Sequence, residues 1–565
     1  MKSFFPSPKP HLAALAILAL SAVSANAQVG GKYDTLHRIE GESGIRSFGE
    51  EVASAGDINN DGFGDFLVGA PLDKHSSMVQ AGSVHVYSGA TLAVLYQLFG
   101  TFAGQNLGDA ISGAGDVNGD GFDDFVVGSG KSSPGGVHYA GIAWVYSGAD
   151  GSVIHQINGS WADGNFGYTV SGAGDVDGDG FGDFMVGGYN NNWGENDSVF
   201  VYSGANGLLI HTFNAPINGY GFGRNVAGGG DLDGDGFDDL LVAAEWSDLG
   251  GRIDSGTIFA YSGATGAEFY RIHGRAPDEV LGRHALGFAG DIDADGNDDI
   301  IIGAPGDGWM GTVYVHSGDS GIEIHKIHGN SYEDNFAISA SGAGDWDQDG
   351  YDDFIVGAPW DWSDLSGGEV FVYSGLDKRL LYRIEAGNDA EFGSAVCFAR
   401  DVTGDGFGNC IVGAKNLAAS SGSKRPGGVG IIGFNPHLTL SSDSISAANG
   451  GTVTMDINFP IRTASYEYKT LISSTGTGPT HYGVDIPLTA DSLAIDTFNG
   501  IYPVPTYSDL HGTLDVDGNS SASMTVPAGL PSTLIGSTYW FAAIAFQPGG
   551  IPEHSSVARG LTITP

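Results

Sequence analysis

The sequence has few cysteines, few basic residues and no long apolar run in its interior. It contains 2 cysteines among 565 residues, which excludes a small scaffold held together by disulfides, so the core must come from burial of apolar side chains. Lys and Arg number 23 against 67 Asp and Glu, for a formal net charge of −44. This charge argues against binding to nucleic acid or to an anionic membrane surface.

The N-terminus carries the one prominent apolar run. Lys2 and Lys9 precede an apolar run over residues 12–23, and Ala25-Asn26-Ala27 follows it. This order is typical of a secretory signal peptide, here residues 1–27, with cleavage before Gln28. No later segment approaches the roughly 20 continuous apolar residues of a membrane span. We therefore expect a secreted protein, extracellular or at the cell surface, without a membrane-spanning helix.

Glycine and aspartate, in contrast, are abundant and lie at regular places. The pattern Asp-x-[Asp/Asn/Thr]-x-Asp-Gly-x-x-[Asp/Asn] occurs seven times, at intervals of 54 to 60 residues. The copies begin at Asp57, Asp116, Asp175, Asp231, Asp291, Asp345 and Asp401. Each places oxygen-bearing side chains at loop positions 1, 3, 5 and 9 and a glycine at position 6, which suits a hard cation with about 6 to 8 oxygen ligands. The pattern predicts seven calcium loops, numbered here 1 to 7.

Two other interpretations of these loops are less consistent with the sequence. An EF-hand would have a bidentate Glu at position 12, where all seven copies have Val or Ile, as at Val68 and Ile302. A plain tight turn needs only one or two Asp, Asn or Gly residues, whereas six copies have acceptors at all four side-chain positions. Without a cation, so many neighbouring carboxylates would repel one another.

Around each loop the same parts recur. An aromatic residue or Leu followed by Gly or Ala precedes the loop, and an apolar strand, a Gly-Ala-Pro-like turn and two further strands follow it. Four short strands repeated seven times, without helical periodicity, predict an all-β fold with a seven-bladed β-propeller over residues 28–436 and exclude arrays of helical repeats. The composition then changes, and residues 437–565 predict a small antiparallel β-sandwich domain.

The two ends of the propeller and its cysteines allow further predictions. A fourth-strand segment follows the first six copies but not the seventh, and a similar segment, residues 36–41, lies ahead of loop 1. We expect this N-terminal strand to complete the last blade and close the ring. Cys397 and Cys410 flank loop 7. They could form a cross-strand disulfide or remain two buried thiols.

The Phe48-Gly49 and Gly69-Ala70-Pro71 motifs that bracket an Asp-rich loop resemble FG-GAP repeats, as in the seven-bladed head of integrin α chains. The resemblance covers residues 35–436. It implies that calcium is held by side-chain oxygens at positions 1, 3, 5 and 9 and by the backbone carbonyl at position 7, with up to seven Ca²⁺ ions. The sequence lacks integrin leg domains, a transmembrane helix and a cytoplasmic tail, which favours a secreted protein of bacterial type over a receptor subunit.

The resemblance assigns a ligand set to each loop. The implied ligands are Asp57, Asn59, Asp61, Phe63 and Asp65 in loop 1; Asp116, Asn118, Asp120, Phe122 and Asp124 in loop 2; Asp175, Asp177, Asp179, Phe181 and Asp183 in loop 3; Asp231, Asp233, Asp235, Phe237 and Asp239 in loop 4; Asp291, Asp293, Asp295, Asn297 and Asp299 in loop 5; Asp345, Asp347, Asp349, Tyr351 and Asp353 in loop 6; and Asp401, Thr403, Asp405 and Phe407 in loop 7. Loop 7 has only two carboxylates, so its site should be weak or empty.

The sequence contains no motif that assigns a catalytic residue. Its propeller therefore predicts a binding or adhesion protein, expected to be a monomer, for an unknown protein or glycan partner. Long insertions after the second strands supply Trp193, Trp246, Trp360 and Trp362, which we expect to be exposed for contact with that partner. An extracellular polysaccharide lyase or hydrolase on a propeller scaffold is the alternative. His or Tyr recurs at equivalent fourth-strand positions, as at His155 and Tyr96, which predicts a packing or surface slot.

Overall fold

A computed structural model describes the chain from residue 35 to residue 433, with several gaps. The residues left out of this range are 43–44, 190–196, 218, 330–334, 347–349, 360–366, 386–389, 403–407 and 418–425. Beyond residue 433 it describes the backbone of the strands. The predicted signal peptide, residues 1–27, lies outside the described part of the chain.

Seven four-stranded antiparallel sheets follow one another and form the blades of a propeller. The inner strands, in blade order, are β2 Glu51–Gly56, β6 Ala110–Gly115, β10 Thr169–Gly174, β14 Phe222–Gly230, β18 Leu286–Gly290, β22 Ser339–Gly344 and β26 Phe392–Phe398. The second strands are β3 Asp65–Ala70, β7 Asp124–Ser129, β11 Asp183–Gly188, β15 Asp239–Ala244, β19 Asp299–Ala304, β23 Asp353–Ala358 and β27 Asn409–Ala414.

The remaining strands complete each blade toward its outer edge. The third strands are β4 Ser83–Tyr87, β8 Ile142–Tyr146, β12 Ser198–Tyr202, β16 Thr257–Tyr261, β20 Thr312–His316, β24 Glu369–Tyr373 and β28 Gly428–Gly433. The outer strands of blades 1 to 6 are β5 Val94–Phe99, β9 Val153–Asn158, β13 Leu209–Asn214, β17 Glu268–His273, β21 Glu323–His328 and β25 Leu380–Glu385. The only helical segments among the described residues are two single 3₁₀ turns, Pro134–Gly136 and Asp307–Trp309. None of the described helical segments is long and apolar enough to cross a membrane.

The hydrophobic core lies between neighbouring blades. All six residues of each second strand are buried, which explains the continuous apolar runs of the sequence, since both faces of these strands are covered. One core cluster joins Ile355 and Val370 of blade 6 to Val412 and Ile432 of blade 7. Because each such cluster belongs to two blades, a blade does not have a complete core of its own.

The aromatic-glycine pair before each loop anchors one blade to the next. Phe48 is 1% exposed, and Gly49 has a φ of 81°. A Cβ on Gly49 would lie 2.2 Å from the carbonyl oxygen of Gly428 in blade 7, so a side chain cannot be accommodated there. In the sixth copy Ala337 takes the glycine position with a φ of 65°, a conformation that costs a non-glycine residue about 1 kcal/mol or more.

The N-terminal strand closes the ring, as the sequence predicted. Strand β1, Thr35–Glu40, pairs antiparallel with β28 of blade 7, and the sheet order is β1-β28-β27-β26. Ile39 lies opposite Val429, and Glu40 lies opposite Gly428. The last blade therefore takes its outer strand from the beginning of the chain, and no blade is left with three strands.

The strands beyond the propeller fall into two larger sheets and a hairpin. They are β29 Leu438–Leu440, β30 Ser444–Ser446, β31 Gly451–Asn458, β32 Glu467–Ser473, β33 Pro479–His481, β34 Asp485–Pro487, β35 Tyr507–Ser508, β36 His511–Thr513, β37 Asn519–Val526, β38 Thr538–Phe546, β39 His554–Ser555 and β40 Arg559–Thr564. The sheet orders are β29-β31-β37-β35 and β30-β40-β38-β32-β36, with β39 paired to β38 and β33 paired to β34. The described strands pair antiparallel except β30 and β40, which run parallel.

Candidate functional site

The Asp-rich loops all lie at one end of the propeller, between the first and second strands of each blade. Because neighbouring strands are antiparallel, the turns between third and fourth strands lie at this same end. The connections between second and third strands, and those from one blade to the next, lie at the other end. We call these two surfaces the Asp-loop face and the opposite face.

The position-1 aspartate organises each loop. In loop 1 the backbone N–H groups of Asp61 and Gly62 donate to the two carboxylate oxygens of Asp57, at 2.9 and 2.8 Å. Gly62 has a φ of 91°, which explains the glycine at position 6. Loops 2, 3 and 5 repeat both bonds, whereas in loop 4 the position-1 aspartate accepts the N–H groups of positions 4 and 6. At position 7, where the backbone carbonyl is the implied ligand, the N–H of Phe63 donates to Asp61 Oδ1 at 3.0 Å.

The position-9 aspartate is buried and accepts two backbone hydrogen bonds. In loop 2 the N–H of Val117 donates to Asp124 Oδ2 at 3.0 Å, and the N–H of Gly148 donates to Oδ1 at 2.8 Å. Burial raises the pKa of Asp124 to about 7, with repulsion from Asp120 and Asp116 adding to the effect. The pKa values of Asp183 and Asp299 are raised in the same way. A nearby cation would favour the ionised form of each.

Three loops bring their carboxylates close enough to share one ion. One carboxylate oxygen from each member of a trio lies within 4.8 Å of the others, and the trios are Asp175, Asp177 and Asp183; Asp231, Asp233 and Asp239; and Asp291, Asp293 and Asp295. Oxygen ligands about 2.3 to 2.6 Å from one calcium ion would be separated by about this distance. In loop 1, the Oδ1 of Asn59, an implied ligand, is buried without a hydrogen-bond partner. The all-oxygen donor set therefore fits a hard cation.

The structure describes the predicted ligands of loops 6 and 7 only in part. Asp347, Asp349, Thr403, Asp405 and Phe407 lie outside the described residues. In loop 7, Asn409 occupies position 9 and its Oδ1 accepts the N–H of Val402 at 2.7 Å. This amide keeps the structural bond of the position-9 aspartate without its charge. The ligand set of each loop stays a prediction.

The recurring His and Tyr residues of the outer strands bond to the next blade. The ring nitrogens of His155 and His211 contact the carbonyl oxygens of Gly204 and Gly263, both at 2.6 Å, and the hydroxyl of Tyr96 donates to Gly148 at 2.7 Å. Tyr270 and His325 make the same contact with Gly318 and Gly375. The predicted packing slot is therefore confirmed, and it joins adjacent blades.

Trp246, which was predicted to be exposed for contact with a partner, is only partly exposed on the opposite face. The ring of Trp246 is half-buried, because the guanidinium of Arg224 lies 4.4 Å from its centroid. The same guanidinium lies 4.4 Å from the ring of Tyr189 and pairs with Glu245 at 2.5 Å. The sequence does not indicate the contact of Arg224 with Trp246, because the two residues are 22 positions apart. Trp193, Trp360 and Trp362 lie outside the described residues.

The opposite face nevertheless exposes large apolar side chains. Trp161 is 62% exposed in the connection between blades 2 and 3, a segment that no long insertion distinguishes in the sequence. Other large apolar residues on this face are also exposed: Val79, Phe102, Val137, Tyr139, Ile217, Ile253 and Met310. The loops around Trp161 are held in place, because the N–H of Asp163 donates to the carbonyl of His138 at 2.8 Å and their side chains pair at 2.7 Å.

A serine, a histidine and an aspartate also meet in blade 1. Ser83 Oγ lies 3.0 Å from Asp73 Oδ2 and 3.1 Å from His85 Nε2. The aspartate thus contacts the serine rather than the histidine, unlike a catalytic triad. Ser83 is 0% exposed, and burial lowers the pKa of His85 to about 4. This group is a buried hydrogen-bond network.

The two cysteines are free thiols in adjacent strands. Cys397 lies opposite Ile411, and Cys410 lies opposite Phe398, so the two are offset by one residue in register. Neither is in a disulfide, and burial raises the pKa of Cys397 to about 12. Of the two alternatives left open by the sequence, the structure has free thiols rather than a disulfide, with Cys410 buried and Cys397 partly buried.

Comparison with known proteins agrees with this architecture. A family model described as FG-GAP repeat matches residues 48–87, 108–146 and 222–261, which are the first three strands of blades 1, 2 and 4. Integrin alpha-5 of Xenopus laevis is 32% identical over 212 residues, covering 35% of this chain and 20% of the relative.

Two further relatives show the same extent of similarity. Integrin alpha-V of Gallus gallus is 30% identical over 223 residues, covering 34% of this chain and 19% of the relative. Integrin alpha-IIb of Homo sapiens is 32% identical over 179 residues, covering 28% and 16%. The matches thus span about a fifth or less of the length of these relatives. The chain carries FG-GAP repeats and is similar to integrin α chains.

Proposed function

We propose that this protein is a secreted calcium-binding β-propeller that binds a partner protein through the opposite face. The calcium loops stiffen one end of the ring, and the variable connections at the other end supply the contact surface. The observation that carries the binding role is the set of large apolar side chains exposed on that face, among them Trp161 at 62% exposure.

The calcium part of the proposal is supported by the chemistry of the loops. Trios of carboxylate oxygens within 4.8 Å in loops 3, 4 and 5 repel one another unless a cation lies between them. The buried Asn59 Oδ1 has no hydrogen-bond partner, which costs free energy unless a cation accepts its lone pair. Calcium binding would therefore stabilise the folded ring.

Thermal unfolding in excess calcium and in excess EDTA tests this part. Each site filled at 100 times its Kd adds about 2.7 kcal/mol to the free energy of unfolding, so several sites together should raise Tm by many degrees. Magnesium with a calcium-selective chelator is the control for general ionic effects. Equal Tm values in calcium and EDTA would show that the loops are only turns.

The choice of the opposite face rests on where its apolar residues come from. On the Asp-loop face, exposed Leu208 and Ile322 occupy equivalent positions in the turns between third and fourth strands, so they belong to the repeat itself. On the opposite face the exposed residues lie in connections that differ in length between blades, and they include Phe102, Tyr139 and Trp161. Surface aromatic residues on variable loops are typical of binding sites.

A protein partner is favoured over a glycan because the exposed residues are spread over the connections of blades 1 to 5 rather than gathered in one pocket. The similarity to integrin α chains points the same way. The relevant comparison is native protein against Trp161→Ala combined with Phe102→Ala, on an array of extracellular matrix proteins and on a glycan array, with calcium and with chelator.

Leu208→Ala is the matched control, since Leu208 is 67% exposed on the Asp-loop face. We expect binding to at least one matrix protein that falls about tenfold or more in the double variant, as for an interface hot spot, and that is unchanged in the control. Binding to glycans alone would replace the protein partner by a sugar. Equal loss in Leu208→Ala would move the site to the other face.

The alternative of a polysaccharide lyase or hydrolase has less support. The Ser83, His85 and Asp73 network is closed to a polymeric substrate, since the serine is fully buried. A panel of acidic and neutral polysaccharides, followed for new reducing ends and for unsaturated products, tests this alternative. Turnover on any of them would favour the enzyme.

A further inference from the structure

Four loops carry an additional aspartate that is not among the implied calcium ligands. Loops 2, 4, 5 and 6 have an aspartate at position 8, and the residues are Asp123, Asp238, Asp298 and Asp352. Loops 1, 3 and 7 have glycine there, at Gly64, Gly182 and Gly408. The sequence shows these aspartates only as the first half of an Asp-Asp pair, beside the position-9 residue.

Each position-8 aspartate reaches the loop of the preceding blade. Its Oδ2 accepts the backbone N–H of that loop's position-1 aspartate, which is the first implied calcium ligand. The four donor-acceptor distances are 2.7 Å for Asp57 to Asp123, 2.7 Å for Asp175 to Asp238, 3.1 Å for Asp231 to Asp298 and 3.0 Å for Asp291 to Asp352. Hydrogen bonds to a carboxylate are stronger than those between neutral groups.

A reverse hydrogen bond makes the contact a two-point one. The N–H of Asp298 donates to the carbonyl of Asp231 at 3.0 Å, and the N–H of Asp352 donates to the carbonyl of Asp291 at 3.1 Å. Both backbone groups of the position-1 residue are therefore fixed by the next blade. In addition, a Cβ on Gly234 of loop 4 would lie 2.7 Å from Asn297 Oδ1 of loop 5, so the two loops touch at a second place.

We propose that Asp123, Asp238, Asp298 and Asp352 are positioning residues that hold the first calcium ligand of the neighbouring loop and couple adjacent sites. The inference rests on the proposed calcium role of the loops. One peptide unit separates Asp298 from Asp299, the position-9 residue of its own loop. An ion that orders Asp299 in loop 5 therefore also orders Asp298, and through it Asp231 in loop 4. Groups that orient a metal ligand typically contribute about 10- to 100-fold to metal affinity.

The glycine loops provide an internal comparison. A Cβ on Gly182 would lie 2.2 Å from the backbone oxygen of Ala114, so no side chain fits at position 8 of loop 3. Loop 2 thus receives no carboxylate from the blade that follows it, whereas loop 4 receives one. We therefore expect coupling through a carboxylate between loops 4 and 5 and no such coupling between loops 2 and 3.

The test compares Asp298→Ala and Asp298→Asn in the full chain. Calcium itself is the probe, with the occupancy of each loop refined from crystals equilibrated at limiting calcium and total binding measured by calorimetry. In Asp298→Ala we expect loop 4 to lose about tenfold in affinity, as for other ligand-orienting groups, and loop 2 to be unchanged. Asp298→Asn keeps an acceptor oxygen and should restore most of the loss.

Asp150→Ala is the charge-matched control. Asp150 lies on the same face in the turn after β8, and its carboxylate accepts only a local bond from Ser152. A general effect of removing one negative charge would appear equally in this variant and would overturn the proposal. Loss confined to loop 5, or no change at loop 4, would also overturn it.

Folding and calcium binding are controlled separately. If Asp298→Ala does not fold, Asp123→Ala tests the same relation between loops 2 and 1, and an unchanged loop 1 occupancy there would overturn the proposal. If the native protein takes up no calcium at any loop, the proposed calcium role fails together with the coupling. Calcium uptake with no response to these substitutions refutes the coupling alone.

Discussion

At the scale of single residues, the aspartates of one loop have two different tasks. Asp299 at position 9 is fully buried and accepts N–H groups from Ile292 and Gly318, at 2.8 and 3.0 Å. Asp293 at position 3 is exposed and contributes an oxygen to the loop 5 trio. The first residue supports the fold even without an ion, in addition to being an implied ligand, whereas the second is useful mainly to the ion.

Substituting these two residues should separate structure from metal binding. Asp299→Ala leaves two buried N–H groups without acceptors, and we expect it to lower the free energy of unfolding by about 2 to 4 kcal/mol even in EDTA, with a further loss in calcium, where an implied ligand is removed. Asp293→Ala should change stability only in calcium, where a ligand is lost. Urea unfolding under both conditions measures this, and a large cost of Asp293→Ala in EDTA would contradict the division.

A second residue-scale prediction concerns Glu51, at the start of the inner strand of blade 1. Burial raises its pKa from 4.5 to about 8, and repulsion from Asp109 and Glu50 adds to this while Lys415 opposes it. The folded protein thus holds the proton more tightly than the unfolded chain. The contribution of Glu51 to stability is complete below pH 4.5 and is lost as the pH rises through about 8.

Glu51→Gln removes this dependence because the amide does not titrate. Measured as the difference between native and variant, the free energy of unfolding of the native protein should fall relative to Glu51→Gln from pH 5 to pH 8. Using the difference cancels the titration of the loop aspartates, which both proteins share. Parallel curves across this range would show that Glu51 is solvated and titrates normally.

At the scale of strands and loops, the blades are joined through the same glycines that support the loops. Gly148 follows the third strand of blade 2 and accepts the Tyr96 hydroxyl of blade 1 at 2.7 Å, while its own N–H donates to Asp124 at 2.8 Å. A Cβ on Gly151 in the same turn would lie 2.9 Å from the ring of Tyr96. The outer strand of one blade is thereby tied to the loop of the next.

Tyr96→Phe tests this tie because it keeps the ring and removes only the hydroxyl. We expect a loss of about 1 kcal/mol in stability, the typical net contribution of one hydrogen bond. Tyr139→Phe is the control, since Tyr139 is 40% exposed on the opposite face. Thermal and urea unfolding compare the two, and an equal effect of both substitutions would mean that the Tyr96 bond contributes nothing.

The sequence predicts elements well where the repeat defines them and poorly where two distant segments must meet. The second strands were recognisable because Phe66-Leu67-Val68 and its equivalents are buried on both faces. The role of Asp298 was not, because its partner Asp231 lies 67 residues earlier and neighbours it only in the closed ring. The partial burial of Trp246 was not predictable either, because Arg224 is distant in sequence and covers the Trp246 ring only in the folded structure.

At the scale of the whole molecule, closure of the ring makes the blades depend on one another. Each core cluster is shared by two blades, and Phe48 of blade 1 packs with Val429 and Ile431 of blade 7 in one of them. The ring is completed by β1, which pairs with β28 more than 380 residues later in the chain. Loss of this strand would leave β28 as an unpaired edge and weaken the joint between the first and last blades.

Deleting residues 28–41 should therefore act on blade 7 rather than on the adjacent loop 1. The backbone groups of β28 lose their partners in β1, so we expect faster hydrogen exchange over Val429–Gly433 and a lower Tm for the whole propeller, since the shared cores unfold together. Deletion of residues 28–34 is the matched control, because it shortens the same end and leaves β1 intact. Exchange that rises only around loop 1, or equally in both deletions, would show that the N-terminal strand does not hold the ring closed.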